Sequence, residues 1–180
     1  MKHLGTLVLA SLIVIGCGKS ETTVVGSNGE KATVSKAGDS TTITDEKGKS
    51  TTFTGNDKQM SVTTSEGTKM EAGKGVSEAD LGLPFYPGST EKPAASMTMS
   101  GAKGEKVVMG ARTSKDDPAK VIAFYKDKIE GAKDFSMNSD DTKSATVGGK
   151  LKDGSDVAVT ASKKGSDDTE IMVTVTHQKK

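Results

Sequence analysis

The chain of 180 residues has no tryptophan, two tyrosines, four phenylalanines and one cysteine. With hydrophobic residues at 32%, any core must be small and aliphatic, and the length excludes the large enzyme architectures. A single thiol cannot form an internal disulfide, so no disulfide framework holds the fold. Histidine is nearly missing as well, since His3 and His177 are the only two. Without a histidine inside the chain, no Ser-His-Asp or Cys-His site is readily built, and His177 reads as a satisfied or frayed terminal residue rather than a general base. Neither sign of charge dominates, with 25 Lys and Arg against 24 Asp and Glu. That balance gives no reason to expect a nucleic-acid partner.

Long apolar runs are also missing, apart from residues 4–15, which follow Lys2 and His3 and are broken only by Gly5, Thr6 and Ser11. As a helix this run would rise about 18 Å, short of the roughly 30 Å hydrocarbon core, so it reads as a secretion signal and not as a membrane span. It ends in Val14-Ile15-Gly16-Cys17, which resembles the lipobox of bacterial lipoproteins. The resemblance implies cleavage between Gly16 and Cys17, a diacylglyceryl group on the Cys17 thiol, and attachment to membrane lipid through Cys17 without a spanning helix. Each buried methylene contributes about 0.8 kcal/mol, so two or three acyl chains hold a protein stably. The expected division is a lipoprotein signal peptide over 1–16, a lipidated tether over 17–22, a Thr/Gly-rich segment over 23–75 and a compact domain over 76–180.

What is abundant is glycine, at 21 residues, together with threonine and serine. In the Thr/Gly-rich segment Asn28-Gly29, Gly38-Asp39, Lys47-Gly48, Gly55-Asn56 and Glu66-Gly67 are turn signals, spaced about nine residues apart. Between them residues 31–35, 40–44, 50–54, 60–64 and 68–72 each set a larger apolar side chain among Thr and Ser. This is the pattern of a β-meander or β-repeat array in which each strand buries one residue. So thin a sheet would have marginal order, and a flexible stalk is the competing reading.

From residue 76 the pattern is that of a domain. Leu81, Leu83 and Phe85 alternate in a segment whose two prolines forbid a long helix. Ala95, Met97 and Met99, then Val107, Met109 and Ala111, read as a hairpin with one buried face. Asp117 as N-cap, Pro118 at the first helical position and Gly131 as stop frame a helix whose stripe is Val121, Ile122, Tyr125 and Ile129. Strands follow over 135–138, 144–151, 155–162 and 170–177, with Asp153-Gly154 as a two-residue hairpin turn. The fold class is α+β, an antiparallel sheet with one covering helix.

Leu83-Pro84-Phe85-Tyr86-Pro87-Gly88 and the run from Asp116-Asp117-Pro118 to Phe124-Tyr125-Lys126 are similar to a family of uncharacterised bacterial secreted proteins and lipoproteins. The resemblance covers 76–180 and implies an envelope location and a compact domain. It carries no catalytic or ligand residues with it.

The remaining chemistry is sparse. Acidic pairs stand at Asp116-Asp117, Asp140-Asp141 and Asp167-Asp168, which would suit a weak calcium site or a carboxylate pair for hydrolysis. Without an Asp-x-Asp-x-Asp-Gly loop they read more simply as caps and turns. Met97, Met99 and Met109 could form a thioether cluster for Cu(I), though methionine is also ordinary filler in a core lacking aromatics. The expectation is therefore a non-enzymatic, membrane-anchored module of the cell envelope, with no cofactor or metal. Its partner would be an envelope protein or a glycan. An envelope hydrolase using carboxylates such as Asp140 and Asp141, and a small-ligand carrier with an apolar groove beneath residues 81–86, are the alternatives.

Overall fold

The computed structural model describes residues 13–16 and 19–178, so Cys17 and most of the expected leader lie outside the described residues. The chain divides into two compact units between Lys69 and Met70. The first is an antiparallel meander of β1 (Ile13–Gly16), β2 (Lys19–Val25), β3 (Lys31–Ala37), β4 (Ser40–Asp45), β5 (Ser50–Gly55) and β6 (Met60–Thr64), each strand pairing with the next. β2 begins inside the stretch read as a tether. Threonine favours the extended backbone on these half-covered surfaces, and the turns do the rest. In residues 26–30, 45–49 and 64–68 the first N–H donates to the fifth carbonyl at 2.8 to 2.9 Å, and the fourth residue, glycine, donates back to the first at 3.0 Å. Gly29, Gly48 and Gly67 hold φ of 80°, 76° and 87° there, a region other residues enter only at a cost. The three turns start at 26, 45 and 64, so the meander repeats every 19 residues.

Register sorts its side chains. Val34 pairs with Ile43, Ile43 with Thr51 and Phe53 with Val62, which puts these apolar residues on one face. Thr and Ser fill the other, where Ser40 meets Thr54 and Thr42 meets Thr52 in hydroxyl hydrogen bonds of 2.9 Å. The expectation that each strand buries its apolar residue is corrected: Ile43 and Phe53 both remain 39% exposed. A single layer has no second surface of its own to close over them.

The second unit contains the core. β7 (Lys69–Ala72) spans the boundary and is followed by α1 (Glu78–Leu81), β8 (Thr90–Glu91), a 3₁₀ turn (Pro93–Ala95), β9 (Met97–Ser100) and β10 (Lys106–Ser114). Then come α2 (Pro118–Lys126), β11 (Glu130–Asn138), β12 (Thr142–Lys150), β13 (Asp156–Lys164) and β14 (Thr169–His177). The strand order is β7-β9-β10-β14-β13-β12-β11, with β8 paired to β10. The fold is α+β, an antiparallel sheet under one helix of substantial length. Val121, Ile122 and Tyr125 of α2 form one core with Ala145, Val147, Val157, Val159, Ala161, Ile171, Val173 and Val175 of the sheet. Each fully buried side chain of this size contributes roughly 1.5 to 3 kcal/mol.

Three local expectations are corrected. The helix starts as read, with Asp117 accepting from Ala119 N–H at 3.1 Å and Pro118 at the first position, but it stops at Lys126 and not at Gly131. Lys128 N–H bonds back to Tyr125 and Ile129 N–H to Lys126, a tightening of the last turn that brings Ile129 into the core from outside the helix. The turn at 151–155 is longer than two residues, because Gly154 takes the left-handed position after Lys152 and Asp153, with φ 88°. On β10 the buried face is set by Val108 and Gly110, opposite Val175 and Val173, and not by Val107 and Met109. A Cβ on Gly110 would stand 2.7 Å from Val76 Cγ2 and 3.1 Å from Leu81 Cδ1, so glycine is what lets α1 lie against this strand.

Candidate functional site

Both α-helices lie on one face of the second unit's sheet, and the opposite face carries no α-helix but is closed around Ala111, which is buried beside the 92–96 segment. The ladder fixes what that face presents. Phe135, Thr146, Thr160, Met172 and Ala111 form one cross-strand row, and Gly148, Ala158, Thr174, Met109 and Met97 form the next. Met99, opposite Val107, adds to the same side. Phe135 is 70% exposed and Met99 37%, while Met97, Met109 and Met172 are half-buried. The sequence pattern points to Met97, Met99 and Met109 but not to Met172 or Phe135, and the hairpin's alternation suggests a buried face where pairing with β14 turns Val107 and Met109 away from the core.

The segment at 81–89 is held down rather than left as a lid over a groove. Leu81, Leu83 and Tyr86 belong to the core. Arg112, the only arginine in the chain, lies 3.9 Å over the Phe85 ring, and it donates from Nε to Ser89 Oγ at 2.6 Å and from Nη2 to the Ser89 carbonyl at 2.7 Å. The Tyr86 hydroxyl donates to Asp116 at 2.7 Å, and its ring meets Phe124 edge-on at 5.3 Å. Burial, then the bond to Asp116, pushes the Tyr86 hydroxyl up to about 12. Tyr125, beneath it, is pushed up to about 12 by burial. The Tyr125 hydroxyl is fully buried and makes no hydrogen bond among the described residues, although the Tyr86 main chain approaches it. Beside this segment a recess of about 520 Å³ remains, lined by Leu83, Ile129 and Leu151 but also by Asp127, Glu130 and Asp153.

His177 sits at the far end of β14. Its Nε2 faces the Asp80 carbonyl at 2.9 Å and therefore carries the proton, which leaves Nδ1 to accept from Ser155 Oγ at 2.9 Å. Asp153 Oδ2 lies 3.7 Å from the same Nδ1. A serine, a histidine and an aspartate thus meet, a grouping that sequence spacing did not suggest. Ser155 is only 5% exposed, however, and the ring is committed at both nitrogens. The arrangement ties the 151–155 turn and α1 to the last strand.

The acidic pairs do not converge. Asp116 accepts from Tyr86 and pairs with Lys120 at 2.9 Å, and both bonds hold its carboxyl below the usual range, Lys120 most strongly. Asp117 caps α2 and pairs with Lys143 at 3.1 Å. Asp168 pairs with Lys115 at 2.7 Å, while Asp140 and Asp141 lie exposed in the turn between β11 and β12. No group of three His, Cys, Asp or Glu suited to a metal ion exists among the described residues, and no helix among them is long and apolar enough to cross a membrane. Comparison with known protein families, with curated proteins and with solved structures finds no match to this chain.

Proposed function

We propose that the chain is a lipid-anchored protein of the bacterial envelope, in which the second unit serves as a non-enzymatic binding or structural module. The observation that carries the proposal is the apolar leader ending in Val14-Ile15-Gly16-Cys17 in a chain with no other cysteine. Alkylation of Cys17 Sγ and cleavage after Gly16 would leave a mature chain beginning at the lipid. One acyl chain gives marginal attachment and two or three give stable attachment, so no spanning helix is needed. Cleavage there removes β1, whose pairing is with β2, and makes β2 the outer strand of the meander.

The non-enzymatic part of the reading is supported by packing. The one histidine beyond the leader is engaged at both nitrogens, and the hydroxyl beside it is enclosed. An envelope protein or a glycan is the expected class of partner.

Inhibition of lipoprotein signal peptidase in the native host should accumulate a precursor that retains the leader, and intact mass of the mature protein should show added acyl mass on Cys17. Unchanged processing together with a free thiol would overturn the proposal.

A further inference from the structure

We infer that the face of the second unit's sheet opposite the α-helices binds a soft monovalent cation, Cu(I), through the thioethers of Met97, Met109 and Met172, with Met99 at the margin. The first observation is where the methionines are not. The buried hydrophobic core of the second unit is Leu, Val, Ile, Ala and Tyr, and contains no methionine. The reading of methionine as core filler therefore fails, and another reason is needed for thioethers grouped at the centre of a sheet surface where Phe135 and Val107 stand toward the edges and the other positions of the two rows are threonine, alanine and glycine.

The second observation is how the ladder groups them. Met97 stands directly opposite Met109. Met99 pairs with Val107, and Met172 with Ala111, so each lies diagonal to Met109 on a neighbouring strand. Directly opposite side chains on one face have Cβ atoms about 4.5 to 5.5 Å apart and diagonal ones about 7 to 8 Å. Methionine is unbranched with three rotatable bonds, so sulfurs from these positions can close on one ion. Thr174 opposite Met109 and Ala111 opposite Met172 carry short side chains, so neither competes with the thioethers for the positions between the strands.

The donor set fixes the class of ion. Neutral thioethers carry no charge and no proton to displace, and they select soft Cu(I) over hard cations that need oxygen. The inference rests on the reading of the second unit as a binding module and is independent of the anchor at Cys17.

The test uses the full chain in detergent, with Cys17→Ser to remove the competing thiol and with methyl-labelled methionine, titrated with Ag(I) as a redox-inert substitute for Cu(I). The methyl signals of Met97, Met109 and Met172 should shift together and saturate at one equivalent. Met109→Leu should weaken binding at least about tenfold with unchanged thermal unfolding, since this exchange conserves volume. If Met109→Leu folds poorly, Met172→Leu is read in the same way. Shifts spread over every exposed methionine, including Met60 and Met137, without saturation at one equivalent, or an affinity untouched by a folded Met→Leu variant, would overturn the inference. None of these readouts depends on lipid processing, so a failure here leaves the anchoring proposal standing, and the reverse.

Discussion

Replacing Arg112 by lysine keeps the charge and removes the fork. Arg112 stands on the core face of β10 opposite Ile171, yet it reaches the 81–89 segment with two donors on Ser89 and its plane over Phe85. A lysine is a point charge on a flexible stem, so it can replace one donor but not both together with the stack. A hydrogen bond from a charged donor contributes about 1.5 to 3 kcal/mol and a cation–π contact about 0.5 to 2 kcal/mol. Allowing for the bond that lysine recovers, Arg112→Lys should cost about 1 to 3 kcal/mol. In a domain of this size that lowers the melting temperature by roughly 5 to 20 °C. Near-UV circular dichroism is a suitable monitor, because Tyr86 and Tyr125 are the only tyrosines, no tryptophan intrudes and both rings lie around this segment. Ser89→Ala should cost less, since the carbonyl acceptor survives. A lysine variant as stable as the parent would refute the reasoning.

Tyr86→Phe should cost about 1 to 2 kcal/mol in denaturant unfolding through loss of the bond to Asp116, whereas Tyr125→Phe should be neutral or slightly stabilising because its hydroxyl has no partner; equal losses would contradict this. Both tyrosines are raised to about 12 in the folded protein against about 10 unfolded, so the folded state binds more protons in that window. Their contribution to stability is full below pH 10 and falls as pH climbs toward 12, and a spectrophotometric titration with both hydroxyls ionising near 10 in folded protein would count against it. Asp80 is held at about 2, first by the Ser77 hydroxyl and then by Lys106, so its contribution is present above pH 4 and is lost as pH falls toward 2. Asp80→Asn should flatten that acid limb of the stability curve, and an unchanged limb would exclude the role. Limited proteolysis of the whole chain should cut first within residues 20–69 and leave a resistant fragment starting near residue 70. Cleavage in the opposite order would show that the meander is the firmer unit.

Local chemistry made much of the fold legible. Gly29, Gly48 and Gly67 announced turns because each needs a positive φ, and Asp117-Pro118 announced a helix because a capping carboxylate and a fixed φ act on adjacent residues. What misled was long-range. The core face of β10 carries Gly110, Arg112 and Ser114 beside Val108, a sequence that looks like an exposed edge until α1 and the 81–89 segment are laid over it. The helix end was lost for the same reason, since Ile129 keeps the helical stripe in sequence but reaches the core through a tightened turn. His177 reads from the sequence as a satisfied terminal residue, but its meeting with Ser155 depends on the antiparallel neighbour β13 and is not legible from spacing.

The 19-residue step of the meander gives the first unit a built-in unit of growth. Two strands at about 4.7 to 4.9 Å each make one graduation of a ruler roughly 9 to 10 Å wide. Gain or loss of a whole graduation leaves every threonine and every valine looking the way it did before, whereas slipping by a single residue exchanges the two sides throughout. Descendants of this chain can therefore lengthen or shorten in discrete jumps, and intermediate lengths are closed to them.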